Sequence, residues 1–300
     1  MSTLRDAAIP GSDLRLLWVN GRAEPFLHPL DRGLAYGDGL FQTMRVVGGA
    51  IPLLGHHLQR LSEGLQRLAI ECDLASIERE IGQFLAALGS EEAKADWVLK
   101  LTLTRGVAGR GYLPAAGVVP TRMLALFPGT PFPAPQSESG VMVRLCRLRL
   151  SRQPALAGIK HVNRLEQVLA RSEWHDARIA EGILRDEAGQ LIDGVISNLF
   201  AVRGGVVETP RLDQCGVAGA MRAFIIARCA ALSIPCREVA LSIEQALTAE
   251  EIFLSNSLFG LWPVAQWLDE AGGDLGWRPG GNPVLRRLQV EVNSLFLAAS

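Results

Sequence analysis

EGILRDEAGQLIDGVISNLFAVRGGVVETP, residues 181–210, reads as two consecutive β-hairpins. The first turns at Glu187-Ala188-Gly189 and the second at Gly204-Gly205, between runs rich in Leu, Ile, Val and Phe. Parallel strands need a crossover of about a dozen residues or more, so connections this short belong to antiparallel neighbours. The stretch therefore points to α+β or mixed α/β sheets and away from a doubly wound parallel sheet.

Toward the C-terminus, GAMRAFIIARCAALSI (219–234) and EQALTAEE (244–251) read as helices and EIFLSNSLFGLWPVAQ (251–266) as a strand plus loop. AGGDLGWRPGGNP (271–283) is loop-like. Upstream, VMVRLCRLRL (141–150) is a strand and NRLEQVLARSEWHDA (163–177) a helix. FPGTPFPAPQSESG (127–140) holds four prolines and two glycines, the composition of a linker. Before it, LRLLWVNG (14–21) and GLFQTMRVVGGAIPLL (39–54) predict hairpins at Asn20-Gly21 and Gly48-Gly49. HHLQRLSEGLQRLAI (56–70) predicts a helix burying Leu58, Leu61, Leu65 and Leu68, with Arg60 on its polar side. SIEREIGQFLAALG (76–89) predicts another, N-capped by Ser76 and stopped by Gly89. WVLKLTLTRG (97–106) and TRMLALF (121–127) complete a strand set. The expected organisation is a loose tail (1–13), a smaller N-terminal α/β domain (14–127), a Pro-rich linker (128–140) and a larger C-terminal domain (141–300).

The 300 residues carry a net charge of −1, which argues against nucleic acid or an anionic membrane as partner. No stretch is apolar enough to span a bilayer, and MSTLRDAAIPGS (1–12) does not resemble a signal peptide. Five cysteines without a C-x-x-C pair read as reduced thiols of a cytoplasmic protein, and no metal-ligand spacing is present.

The basic residues comprise 27 arginines and three lysines, Lys94, Lys100 and Lys160. Arginine stays protonated at neutral pH and cannot form an imine, so each lysine merits a separate reading. Lys94 lies beside two glutamates and Lys100 on the polar face of a strand, as surface charges do. Lys160 sits among apolar residues with His161 and Arg164 adjacent, a setting that lowers an amine's pKa. The other reading of Lys160 is a snorkelling loop side chain. Three further features could bind a phosphate. Gly219 opens a helix and leaves the Ala220 and Met221 amides unpaired. Asn256 and Ser257 follow a buried strand, and Arg60 could reach an anion bidentately. An imine-forming lysine plus a phosphate cup is the equipment for pyridoxal 5'-phosphate.

YGDGLFQTMR (36–45), KHVNRLEQV (160–168) and TPRLDQCGVAGAMR (209–222) resemble the branched-chain aminotransferase-like, fold type IV, pyridoxal phosphate enzymes. The likeness runs from Leu16 to about Gln266 and implies a two-domain homodimer. It implies that Lys160 bonds to the cofactor and then shuttles protons. Arg60, the Ala220 and Met221 amides and Ser257 would hold the phosphate, and Asp193 would face the pyridine nitrogen. Glutamate is usual at that last position; aspartate is shorter by roughly 1.5 Å. Tyr36, Arg45, Arg110, Tyr112 and Asn256 match substrate-pocket positions, Arg110 and Tyr112 often acting across the dimer interface. The last two motifs look more like the lyase branch than the aminotransferases. That implies conversion of 4-amino-4-deoxychorismate to 4-aminobenzoate and pyruvate in folate biosynthesis. The alternatives are a D- or branched-chain amino acid aminotransferase and a non-catalytic binding protein on the same scaffold.

Overall fold

The computed structural model describes residues 13–23 and 25–297, so residues 1–12 of the expected tail lie outside the described residues. Four antiparallel strands, β1 (Leu16–Val19), β2 (Gly39–Val46), β3 (Trp97–Thr104) and β4 (Thr121–Pro128), form a sheet ordered β1-β4-β3-β2. A short α1 (Arg32–Tyr36) precedes β2, while α2 (Leu54–Leu68) and α3 (Leu74–Ala86) cover one face. Period-2 alternation puts Leu99, Leu101 and Leu103 on that face, against Leu61 and Leu65 of α2 and Ile77, Ile81 and Phe84 of α3.

The second sheet has eight strands, β5 (Val141–Leu150), β6 (Ile179–Asp186), β7 (Leu191–Gly194), β8 (Asn198–Arg203), β9 (Val206–Pro210), β10 (Cys236–Val239), β11 (Glu251–Asn256) and β12 (Gly260–Leu268). Its order is β10-β9-β8-β11-β12-β5-β6-β7, with β10/β9, β12/β5 and β5/β6 parallel and the other pairs antiparallel. The sheet is mixed, and both hairpins of residues 181–210 form. Five helices accompany it: α4 (Gln136–Ser139), α5 (Leu165–Arg171), α6 (Ala220–Ala231), α7 (Ile243–Leu247) and α8 (Pro283–Leu297). Phe200 and Phe253, stacked at 4.9 Å, meet α6 and α8 on one face. Their neighbours Leu199, Ala201, Ile252 and Leu254 point to the opposite face, toward Trp267 and Trp277.

Several local expectations are corrected. Asn20-Gly21 and Gly48-Gly49 make turns with positive φ, but each closes a single bridge, Val19 to Arg22 and Val47 to Ala50. β1 pairs instead with β4, and β2 with β3. Asp73, not Ser76, caps α3 by accepting the Ala75 and Ser76 amides, and the helix ends before Gly89. The 163–177 and 244–251 helices shrink to α5 and α7. Residues 260–268 form a full strand where a loop is expected, because Pro263 stands one residue before the β5 ladder begins at Val264. α8 lies where the sequence reading assigns no element, although Leu285, Leu288, Val292 and Phe296 carry helical spacing behind Pro283, a favoured first-turn residue.

Candidate active site

The chain around Lys160 is tied to both sheets. Phe41 N donates to Lys160 O at 2.9 Å and Val162 N to Gly39 O at 3.0 Å, joining the segment to β2. On the other side Ala218 N donates to Gly158 O and Gly158 N to Gly216 O. Lys160 is thereby fixed where the small sheet, the turn before α6 and the mixed sheet meet. A cavity of about 320 Å³ opens there, lined by Lys160, Arg60, Arg164, Asp193, Asn256 and Ser257 among others. Its size suits a small organic ligand.

The Lys160 amine makes no hydrogen bond among the described residues, and its Nζ lies 4.5 Å from the centroid of the Phe41 ring. Burial, followed by the charges of Arg60 and Arg164, lowers its pKa to about 7. The expected lowering is present, but Arg60 acts in it and His161 does not. His161 is itself pushed down to about 4, by burial and by Arg164 and Lys160. Lys94 pairs with Glu91 on the surface. Lys100 is exposed, yet it stands opposite Thr43 of the cavity wall with its amine 5.5 Å from the same Phe41 ring.

Arg60 is buried, which corrects its assignment to a polar helix face: α2 packs against both β2 and α6, leaving no solvent on that side. Its guanidinium donates to Gln42 Oε1 and to Ala218 O. Asn198 braces the adjoining turn, accepting the Gly219 amide at 3.1 Å and donating to Val217 O at 2.8 Å. A Cβ on Gly219 would come within 2.1 Å of Asn198 Oδ1, so only glycine permits this approach. Behind it the Ala220 and Met221 amides open α6 with no acceptor among the described residues. Ser257, in the β11–β12 turn, lines the same cavity, and Asn256 caps that turn by accepting the Leu258 and Phe259 amides at 2.9 Å.

Asp193 is buried on β7. Its Oδ2 accepts the Val217 amide at 3.0 Å, and its Oδ1 has no partner. Burial raises its pKa to about 7, opposed by the Val217 hydrogen bond and by Arg164 and Lys160. Glu181 lies behind it, buried and accepting Ser197 Oγ at 2.7 Å and the Gly182 and Ile196 amides. Arg164 is where the sequence reading puts it, beside Lys160, but Glu181, Gln42 and Asn198 escape that reading; charged or amide residues inside apolar strand runs are the available signal.

Four expected substrate residues lie elsewhere. Arg45 is corrected: its buried guanidinium donates to Thr130 O and Leu258 O, pairs with Asp96, and lies over the Phe132 and Phe296 rings. It fastens the Pro-rich segment and does not line the cavity, and its Nε is buried without a partner. Tyr36, Arg110 and Tyr112 lie outside this cavity. Tyr36 and Tyr112 approach at 5.6 Å and Gly111 N donates to Tyr36 Oη, giving an exposed aromatic edge in which Tyr112 is 86% accessible.

Residues 39–267 match the family described as amino-transferase class IV. The chain belongs to that family. An aminodeoxychorismate lyase of Vibrio harveyi is 31% identical over 253 residues, 83% of this chain and 90% of the relative. The crystal structure of a 4-amino-4-deoxychorismate lyase from Pseudomonas aeruginosa superposes with a TM-score of 0.83 at 43% identity, covering 93% of this chain and 98% of that one. A branched-chain amino acid aminotransferase from Escherichia coli shares the fold, with a TM-score of 0.78 at 24% identity and 96% of each chain covered.

The cavity fits the family's cofactor, pyridoxal 5'-phosphate. Arg60 and Arg164 bring two guanidinium charges to it and form no salt bridge among the described residues, which suits a phosphate dianion. The unpartnered Asp193 Oδ1 suits a protonated ring nitrogen.

Proposed function

We propose that this chain is a pyridoxal-phosphate-dependent lyase that converts 4-amino-4-deoxychorismate to 4-aminobenzoate and pyruvate. The observation that carries the lyase reading is the 43% identity to the Pseudomonas aeruginosa enzyme across 93% of the chain, with Lys160 and Asp193 lining one cavity. Arg60, the Ala220 and Met221 amides and Ser257 would hold the phosphate, and Asp193 Oδ1 would keep the ring nitrogen protonated. When bound, the cofactor supplies an electron sink for the pair left as the amine-bearing carbon loses its proton. Lys160 Nζ, whose pKa is lowered to about 7 and which is therefore available in its neutral form near that pH, takes that proton. The ring carbon–oxygen bond then breaks, the ring becomes aromatic, and Lys160 returns a proton to the methylene carbon of the departing enolpyruvate. Asn256 orients substrate at the cavity edge.

We further read the two sheets as two domains joined by residues 128–140, in a cytoplasmic homodimer of the folate pathway. Support for the dimer comes from α5, where Leu165, Val168 and Leu169 are 77%, 57% and 61% exposed, and from Ile196, which is 63% exposed. Arg110, Tyr112 and Tyr36 then serve a second copy's cavity, where a guanidinium matches a substrate carboxylate. Among the described residues no helix is long and apolar enough to cross a membrane.

Product analysis tests the reading. Purified protein given 4-amino-4-deoxychorismate and no oxo acid is expected to release pyruvate and 4-aminobenzoate in equal amounts. No pyruvate in that assay, with amino-group transfer once an amino acid and an oxo acid are supplied, would instead make it an aminotransferase.

A further inference from the structure

Beneath the phosphate-facing side of the cavity, one oxygen collects three donors. Gln42 Oε1 accepts Arg60 Nε at 3.1 Å, Arg60 Nη2, and His57 Nδ1 at 3.1 Å. All three side chains are buried. Along β2, Phe41 and Thr43 face the cavity while Gln42 points the other way with Leu40 and Met44, into the layer between the sheet and α2. A polar side chain in that apolar layer requires partners, and Arg60 and His57 are those partners.

His57 Nδ1 lies 3.1 Å from Gln42 Oε1 and 3.4 Å from Arg60 Nη2. An amide oxygen only accepts, so the shorter contact assigns the imidazole proton to Nδ1, and Nε2 is left bare, buried and unpartnered. His57 is neutral, because burial and the neighbouring Arg60 and Lys160 charges push its pKa well down. A guanidinium has five N–H donors. Gln42 takes two and Ala218 O, at 3.2 Å, a third; the second Nη2 N–H is turned toward His57 Nδ1 at 3.4 Å, which leaves one N–H, on Nη1, for the cavity that Arg60 lines. A carboxylate at position 42 would hold the arginine equally well but cancel its charge. The amide holds it and leaves the charge whole.

We propose that Gln42 is a positioning residue that aims the Arg60 guanidinium at the cofactor phosphate without neutralising it, with His57 locking the amide's orientation. This rests on the pyridoxal phosphate reading above. Its distinguishing consequence is confined to the phosphate: Gln42 should matter for pyridoxal 5'-phosphate and not for pyridoxal, which lacks that group.

The experiment compares both ligands on full-length wild type, Gln42→Leu and Gln42→Glu, by cofactor release from the loaded protein and by equilibrium titration after resolution. Wild type is expected to prefer pyridoxal 5'-phosphate strongly. Both variants should lose roughly tenfold or more of that preference, about the worth of one charged hydrogen bond, with pyridoxal affinity within twofold of wild type. Gln42→Glu keeps a polar acceptor and so separates the effect from a folding defect. An unchanged preference in either folded variant overturns the proposal, as does an equal loss for both ligands, which marks a structural role. If wild type itself binds neither ligand, the cofactor reading fails instead.

Discussion

Asp193 accepts the Val217 amide through Oδ2 at 3.0 Å, while its Oδ1 stays buried and unpartnered. One oxygen anchors the side chain to the turn before α6; the other is free for the ring nitrogen. Asparagine keeps the shape and can keep the Val217 contact, but it removes the charge. Asp193→Asn is expected to lower kcat by about 10²–10³-fold, the typical cost of losing one preorganised electrostatic partner, with cofactor still retained through its phosphate. Pyruvate release at saturating cofactor measures this, and activity within twofold of wild type would remove Asp193 from the chemistry.

Arg45 offers the converse test, because its guanidinium is committed to Thr130 O, Leu258 O and Asp96. Arg45→Met strands two carbonyls and a carboxylate. It should cost about 2–4 kcal/mol in urea unfolding, as breaking buried polar pairs does. The Michaelis constant for substrate should stay within twofold; a large rise with stability intact would return Arg45 to the pocket.

The cofactor-free protein should reveal Lys160 in its stability. Its amine falls from 10.5 in the unfolded chain to about 7 in the fold, through burial first and then Arg60 and Arg164. Between these values the unfolded chain binds more protons, so this group makes stability climb as pH rises from 7 to 10.5. The cost of burying the charged amine is fully present below about 7 and gone above 10.5. Asp193 acts oppositely in a lower window: raised from 3.8 to about 7, it lowers stability as pH climbs through that range. Denaturation at pH 7 and 9.5 should show a smaller gain for Lys160→Met than for wild type. Equal gains would mean the amine is not perturbed.

Short-range patterns were legible in the sequence. The paired hairpins of 181–210 declared the mixed sheet, and Gly219 marked the helix start that carries the free amides. What escaped depended on partners distant in the chain. Arg60 looked solvated on a helical wheel because α6, its second packing partner, follows about 160 residues later. Arg45 matched a pocket motif, yet Thr130 and Leu258 claim it. Gln42 read as one polar residue in a strand, since its meaning depends on His57 and Arg60 converging on its oxygen. Pro263 hid β12, because a strand that changes partners tolerates a proline a continuous ladder would reject.

Borohydride reduction of the holoenzyme, followed by peptide mapping, tests the central claim most directly. The chain has only three lysines, and Lys94 and Lys100 are exposed while Lys160 lines the cavity. The account predicts one equivalent of reduced cofactor, all of it on the peptide containing Lys160, and none on a Lys160→Ala variant. Label on Lys94 or Lys100, or no covalent label in a protein that still releases pyruvate, would contradict it.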